Sequence, residues 1–317
     1  MKRCTLTCRL LALVLLFALA ATAAWAEILP DTEMSGCFPV LQEGGYDPLH
    51  PVPFGEEYRA DQKGELEIWF GRINVCDGFI VRCNGETMLI DGGDFNHGRE
   101  TMHFLEQLGV TGVDYIFNTH HHSDHLGMQV YLMNHGFTAR EFLTPYERNY
   151  PVADQRKAEQ AADEHGILYH VIKDGDEMYL GGENGARICF YRWAGSTNPN
   201  YSSVMCRITY GDRSIMMMAD VISKAQQALA VERPDIPWDS DIMKAGHHGY
   251  TEQEKALLDM ISPELVVISS SPLSAKRTVN QLKRLKYPYM ITNQGTIYIH
   301  TDGGENWYYI QDKSYRK

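Results

Sequence analysis

The sequence predicts a layered α/β fold with mixed β-sheets. Strands and helices alternate from Leu66 onward, and the strands are joined both by hairpins and by helical crossovers. Length agrees: of 317 residues, the 291 that follow a leader-like start suffice for one large α/β domain or two small ones.

The elements follow in order. Leu66 to Phe70, Gly78 to Arg82 and Thr87 to Ile90 read as short strands, the last two parted by the turn signal Asn84-Gly85. Gly98 to Leu108 has helical spacing through Met102, Phe104, Leu105 and Leu108, and Gly109 closes it. Val113 to Phe117 is a buried-type strand. His125 to His135 is a short helix closed by Gly136, and Asp154 to His165 is a polar helix rich in alanine. Val171 to Gly195 alternates like meandering strands. Val204 to Tyr210 and Ser214 to Met218 form a hairpin around Gly211-Asp212. Asp241 to Ala245, Glu252 to Met260 and Leu265 to Ser269 continue as strand, helix, strand. Thr278 to Leu285 is a helix, and Tyr289 to Thr292 with Thr296 to Ile299 close the chain as strands.

Before these elements, residues 1–26 read as a signal peptide. Lys2, Arg3 and Arg9 precede the apolar run Leu10 to Ala24, and Ala24-Trp25-Ala26 satisfies the small-x-small cleavage rule. Such a run is too short to span a bilayer comfortably. The expectation is an exported, secreted protein without a stable membrane span, starting at Glu27. Residues 27–64 form an irregular approach rich in Pro and Gly, and 65–317 the domain that carries the strand-helix pattern.

Charge narrows the partners. The chain has 29 basic and 41 acidic residues, and losing the leader's three cations leaves a formal charge of −15. Phosphate backbones are held by clustered Lys and Arg. The densest runs are only Lys276-Arg277 and Lys283-Arg284-Leu285-Lys286, so tight non-specific nucleic-acid binding is not expected. The mature cysteines are Cys37, Cys76, Cys83, Cys189 and Cys206, an odd number without a C-x-x-C pair. That argues against a Cys-based structural metal site and leaves mostly buried thiols, with room for one bridge.

The chemistry concentrates in Thr119-His120-His121-His122-Ser123-Asp124-His125, straight after a buried strand. An extended segment projects His120 and His122 to one side, and Asp124 and His125 come where the chain turns into a helix. Imidazoles with a carboxylate suit zinc, and manganese or iron as well. Other strands end in similar groups: Met88-Leu89-Ile90 in Asp91-Gly92-Gly93, Ile215 to Met218 in Ala219-Asp220, and Asp241 to Ala245 in Gly246-His247-His248-Gly249. Strand carboxyl ends are where α/β sheets place ligand sites, so the four converge.

This set resembles the metallo-β-lactamase fold hydrolases. The nearer resemblance is to the hydrolase-like domain of ComEC-type competence proteins, through Asn200-Tyr201-Ser202-Ser203-Val204 and Lys244-Ala245-Gly246-His247-His248-Gly249. It covers roughly Leu66 to Ile310. The resemblance implies a four-layer αβ/βα sandwich with two mixed sheets and a site for two divalent metal ions, zinc first and manganese second. It implies His120 and His122 on one metal, Asp124 and His125 on the other, and Asp220 bridging. One of His247 and His248 completes the second site. Asp91 is structural, bonding the ligand loop, and His121 is left out.

Three departures from the family pattern stand out. Where many members supply a third His to the first metal, this chain has Asn198 and Asn200, so the first site is expected to be weakly occupied, with Asn200 in support. Of the competence branch's Asp-x-Gly-Gln-Gly-Asp run, Phe70 to Asp77 keeps at most the final Asp. Ser274-Ala275-Lys276-Arg277 stands where that branch has His-Pro. The expected reaction is attack by a metal-activated water on a small-molecule or polymer ester, a phosphodiester or related phosphate ester by analogy with the branch. Asp124, or the non-ligating imidazole of the His pair, with His248 as candidate, passes the proton to the leaving group. Lys244 either neutralises an anionic substrate or is merely solvated. The competing readings are a hydrolase of a carboxylic ester, lactone or lactam, and a non-catalytic metal-binding module.

Overall fold

The computed structural model describes residues 65–304 and 307–311. The expected leader, its cleavage point and the approach segment lie outside the described residues. Among the described residues, fifteen strands form two mixed sheets.

The first sheet runs β15-β14-β1-β2-β3-β4-β5-β6. Its strands are β1 (Leu66–Phe70), β2 (Gly78–Cys83), β3 (Glu86–Asp91), β4 (Gly112–Phe117), β5 (Thr138–Thr144), β6 (Leu168–Val171), β14 (Ile297–Thr301) and β15 (Tyr308–Gln311). The second runs β13-β12-β11-β10-β9-β8-β7. It holds β7 (Glu177–Leu180), β8 (Ala186–Tyr191), β9 (Met205–Tyr210), β10 (Arg213–Met217), β11 (Ile242–Lys244), β12 (Leu265–Ile268) and β13 (Tyr289–Ile291). In both sheets an antiparallel meander passes into parallel strands: β3 to β6 in the first, β10 to β13 in the second.

Strand alternation builds the layers. In β1, Leu66, Ile68 and Phe70 face the other sheet while Trp69 faces outward, and in β12 Leu265 and Val267 face inward while Val266 and Ile268 face outward. Side chains of successive strand residues point to opposite faces, so both faces of each sheet need an apolar cover. Helices α1 (Gly98–Gln107), α2 (Ser123–Asn134) and α3 (Ala153–Glu164) cover the first sheet through Phe104, Leu126 and Ala158. Helices α4 (Ser223–Glu232), α5 (Lys255–Ile261) and α6 (Lys276–Leu285) cover the second through Leu229, Leu258 and Leu282. The result is helix, sheet, sheet, helix.

The structure corrects part of the element reading. Of the stretch expected to meander from Val171, β7 and β8 form a hairpin in the second sheet, and only its first residue belongs to β6, which pairs with β5 in the first sheet. Strands β5, β6 and β15 and helix α4 were not anticipated. Cys76, Cys83 and Cys206 are buried free thiols and Cys189 is a partly exposed one, so the described residues contain no bridge among them. Burial drives the Cys76 and Cys206 thiols far above their ordinary range and Cys83 up to about 11.

Candidate metal centre

The centre gathers at the carboxyl ends of β3, β4, β10 and β11. After β4 the chain bends at Thr119 and again at His121, is extended at His122 and enters α2 at Ser123, which puts Asp124 and His125 in the first helical turn. After β10, Ala219 adopts φ 44° and delivers Asp220. After β11, both His247 and His248 have left-handed backbone, φ 49° and 52°. Non-glycine residues seldom hold such angles unless their surroundings fix them. Here the consecutive left-handed residues send neighbouring imidazoles apart, their ring centroids 5.9 Å from each other.

Asp220 is the hub. Around Oδ1 lie His125 Nε2 at 3.3 Å and His248 Nε2 at 3.4 Å, with Asp124 Oδ2 3.2 Å from His248 Nε2 and 3.9 Å from His125 Nε2. On the Oδ2 side, His120 Nε2 lies at 3.7 Å and His247 Nε2 at 3.8 Å, and His122 Nδ1 is 3.0 Å from His120 Nε2. The two expected groups of donors thus surround the two oxygens of one carboxylate. His120, His125, Asp220 and His248 are sealed from solvent, while the Asp124 side chain is 32% exposed and that of His247 25%.

The far nitrogens of the rings are committed elsewhere. His125 Nδ1–H donates to Asp91 Oδ2 at 2.7 Å, and Asp91 also accepts from Thr119 N at 2.9 Å and Thr119 Oγ1 at 2.8 Å. With that hydroxyl proton spent on Asp91, Thr119 Oγ1 accepts from His120 Nδ1–H at 3.1 Å. In the neutral rings both patterns leave Nε2 without a proton on the side facing Asp220. His248 Nδ1–H donates to Asp77 Oδ1 at 3.0 Å, and Asp77 also accepts from Ser269 Oγ at 2.5 Å and from the Lys244 ammonium.

The donors fit divalent cations. Neither oxygen of Asp220 is hydrogen-bonded although both are buried, and His125 Nε2 is equally without a hydrogen-bond partner. A buried carboxylate without hydrogen bonds is costly, and a cation relieves that cost. The spacing also suits one. A tetrahedral ion with bonds of about 2.1 Å separates its donors by roughly 3.4 Å, near the separations around Oδ1.

Electrostatics point the same way. Burial opposes charge on His248, but Asp220 and Asp77 overcome it and lift the imidazole to about 9. His125 rises well above its ordinary value against the same burial, through Asp220 and Asp91. Burial would raise Asp220, yet His248 and His125 hold it well below the carboxylate range. His120 is pushed well down by burial and by His125, and burial lowers His247 too. In the metal-free protein, protons on His125 and His248 supply positive charge to the carboxylates.

Residues 73–271 match the sequence model of one family, described as the metallo-beta-lactamase superfamily. The chain belongs to the metallo-beta-lactamase superfamily. No curated protein matches it in sequence. Among solved structures, it is similar to an E377D mutant of the CmlA beta-hydroxylase, at 14% identity and a TM-score of 0.48 over 76% of this chain and 53% of that one. It is also similar to Igni18, a metallo hydrolase from the archaeon Ignicoccus hospitalis KIN4/I, at 13% identity and a TM-score of 0.45 over 74% and 98%. A B3 metallo-beta-lactamase with an active-site glutamic acid gives 13% identity and a TM-score of 0.41 over 69% and 91%.

Within this superfamily fold, several residues differ from their expected places. Lys244 is neither solvated nor turned to substrate; it is fully buried against Asp77 and the Ala219 carbonyl. His248 stands among the second group of donors, on the Oδ1 side of Asp220, and His247 lies on the Oδ2 side. His247 Nε2 lies 3.2 Å from Asn200 Nδ2. His121 turns away from the cluster and packs on Tyr146 and Tyr150, its N–H donating to the Tyr146 hydroxyl at 3.3 Å. Tyr146 and Trp238 are buried packing residues. Sequence reasoning gave Asp77 no role and missed Ser269 altogether. Only the resemblance to the Asp ending the competence run pointed to Asp77, and Ser269 carries no signal at all.

Proposed function

We propose that the chain is a metal-dependent hydrolase with a two-cation centre. The reading rests on Asp220, whose buried, unbonded oxygens each face one group of donors. The first cation would be held by His120 Nε2, His122 Nδ1 and Asp220 Oδ2. The second would be held by Asp124 Oδ2, His125 Nε2, His248 Nε2 and Asp220 Oδ1. When bound, the cations supply Lewis acidity and bring the pKa of water toward neutrality, and zinc suits these nitrogen and oxygen donors, with manganese next.

The chain's own residues do the rest. Asp220 and the sealed rings of His120, His125 and His248 exclude water from the inner side, so substrate enters from the side of Asp124, His122 and His247. His247 is the ionisable ring placed to move a proton at that mouth, since its side chain is 25% exposed and its Nε2 meets Asn200 at 3.2 Å and lies 3.8 Å from Asp220 Oδ2. Asp124, partly exposed, is the second candidate for that transfer.

For the substrate we propose a phosphodiester or related phosphate ester. The support is the resemblance of Asn200 to Val204 and of Lys244 to Gly249 to the competence branch. Turnover of bis-p-nitrophenyl phosphate with zinc or manganese tests it; nitrocefin or lactone turnover in its place would assign an acyl substrate. Metal binding with no turnover on any of them would leave a binding module. The leader supports export, and amino-terminal sequencing should find Glu27 first.

A further inference from the structure

Asp77 and Lys244 have no part in the reaction proposed above, yet both are completely buried. Asp77 precedes β2 in the first sheet and Lys244 ends β11 in the second. Burying such a pair brings little stability, because apolar side chains of similar size fill the same space without the desolvation cost. Its neighbours suggest another use. Asp77 Oδ1 receives His248 Nδ1–H at 3.0 Å and the Ser269 hydroxyl at 2.5 Å, while Oδ2 receives the Lys244 ammonium. Lys244 Nζ also donates to the Ala219 carbonyl at 2.9 Å, one residue before Asp220.

Asp77 is close enough to the cluster to be mistaken for a ligand. Direction excludes it. Its Oδ1 meets Nδ1 of His248, and its Oδ2 lies 3.9 Å from Nδ1 of His125, whereas both rings turn Nε2 toward Asp220. A cation at Asp220 Oδ1 therefore lies across both rings from Asp77, and the adjacent ammonium further disfavours a cation on the Asp77 side.

We infer that Asp77, locked by Lys244 and Ser269, is a positioning residue that aims His248 at the second cation, as Asp91 aims His125. The two carboxylates differ in one respect: Asp77 carries its own buried counter-charge, and Asp91 has His125 itself as its charged partner. The same ammonium anchors the turn that delivers Asp220, so one lysine sets two donors of the second cation, from β11 and from the end of β10. Carboxylates behind metal-bound histidines fix tautomer and ring orientation, and losing one typically costs ten- to a hundredfold in metal affinity.

The inference rests on the two-cation reading and is tested so that the two can fail separately. His120→Ala removes a donor of the first cation alone, so that background should bind about one zinc per chain, measurable by competition with a chromophoric chelator. Absence of any bound zinc there would defeat the two-cation reading itself. Added to it, Asp77→Leu with Lys244→Met removes the charge pair and keeps the volume. Zinc affinity should fall at least tenfold while the metal-free melting temperature stays within a few degrees. Asp77→Asn, which keeps the shape, should show the same loss and serves if the apolar pair does not fold. In His120→Ala, nitrogen NMR of His248 should show a protonated Nδ1 and a ligated Nε2, and in Asp77→Asn a mixture of tautomers. Unchanged zinc affinity in the folded variants would overturn the inference.

Discussion

Asp220 is the residue on which the centre depends. Asp220→Ala should strip both cations and abolish turnover, because each group of donors loses its shared oxygen. His120→Ala should leave about one metal per chain, and elemental analysis distinguishes the two outcomes. Second-site donors outnumber those of the first, four against three, so titration should show one tight and one exchangeable metal; two equal affinities would contradict the assignment. The neighbouring histidines should separate as well. His248→Ala should lose the tighter metal, whereas His247→Ala should keep both and lower kcat by roughly a hundredfold or more with an altered pH profile. Much of this was legible in the sequence, because His120 to His125 is a contiguous run at a strand end and Asp91, Asp220 and the His pair end other strands. Asp77 and Lys244 were not. Each is an ordinary charged residue until the fold joins them across 167 positions, and no local spacing records such a pairing.

At the scale of elements, the turn after β11 shows how an unremarkable amide network shapes chemistry. Gln253 Oε1 accepts from Gly246 N at 2.9 Å and from Gln226 Nε2 of α4, also at 2.9 Å, and Gln253 N donates to Gln281 of α6 at 2.8 Å. These bonds help to hold the backbone that keeps His247 and His248 left-handed. Gly246 is required by close approach: a Cβ there would come within 2.2 Å of the Val221 carbonyl and 2.6 Å of Gln226 Nε2. Gly246→Ala should therefore cost about 1–3 kcal/mol in stability and weaken second-site metal binding, checked by denaturant unfolding and metal titration. The missed elements have physical reasons too. The first half of β5 alternates exposed and half-buried residues with Arg140 and Glu141 among them, so its apolar signal is confined to its last residues. Helix α4 buries only Ala225, Gln226 and Leu229, too narrow a stripe to announce itself.

Across the whole molecule, the donors come from both sheets: His120, His122, Asp124 and His125 from the first, Asp220 and His248 from the second. In the proposed two-cation centre, cation binding would be linked to the closure of one sheet on the other, and chelation should lower the melting temperature. Protonation adds a pH signature. The imidazole of His248 lies near 9 in the folded metal-free protein against an ordinary 6.5. Its contribution is therefore complete below about 6.5 and is lost as pH rises through 9. The raised His125 has the same sign. Calorimetry should show the metal-free protein losing stability across that interval and the metal-loaded protein much less, because the cation replaces the protons; parallel curves would contradict this. The buried thiols carry a further consequence. Cys206 in β9 faces the space between the sheets. It yields no reactive thiolate while those sheets stay closed. Alkylation resolved by mass spectrometry is thus a built-in stopwatch: Cys189 is labelled at once, and Cys206 only as often as the sheets part. Added zinc should slow that clock, and if it ticks at the same rate with and without metal, the cation does not hold the two sheets shut.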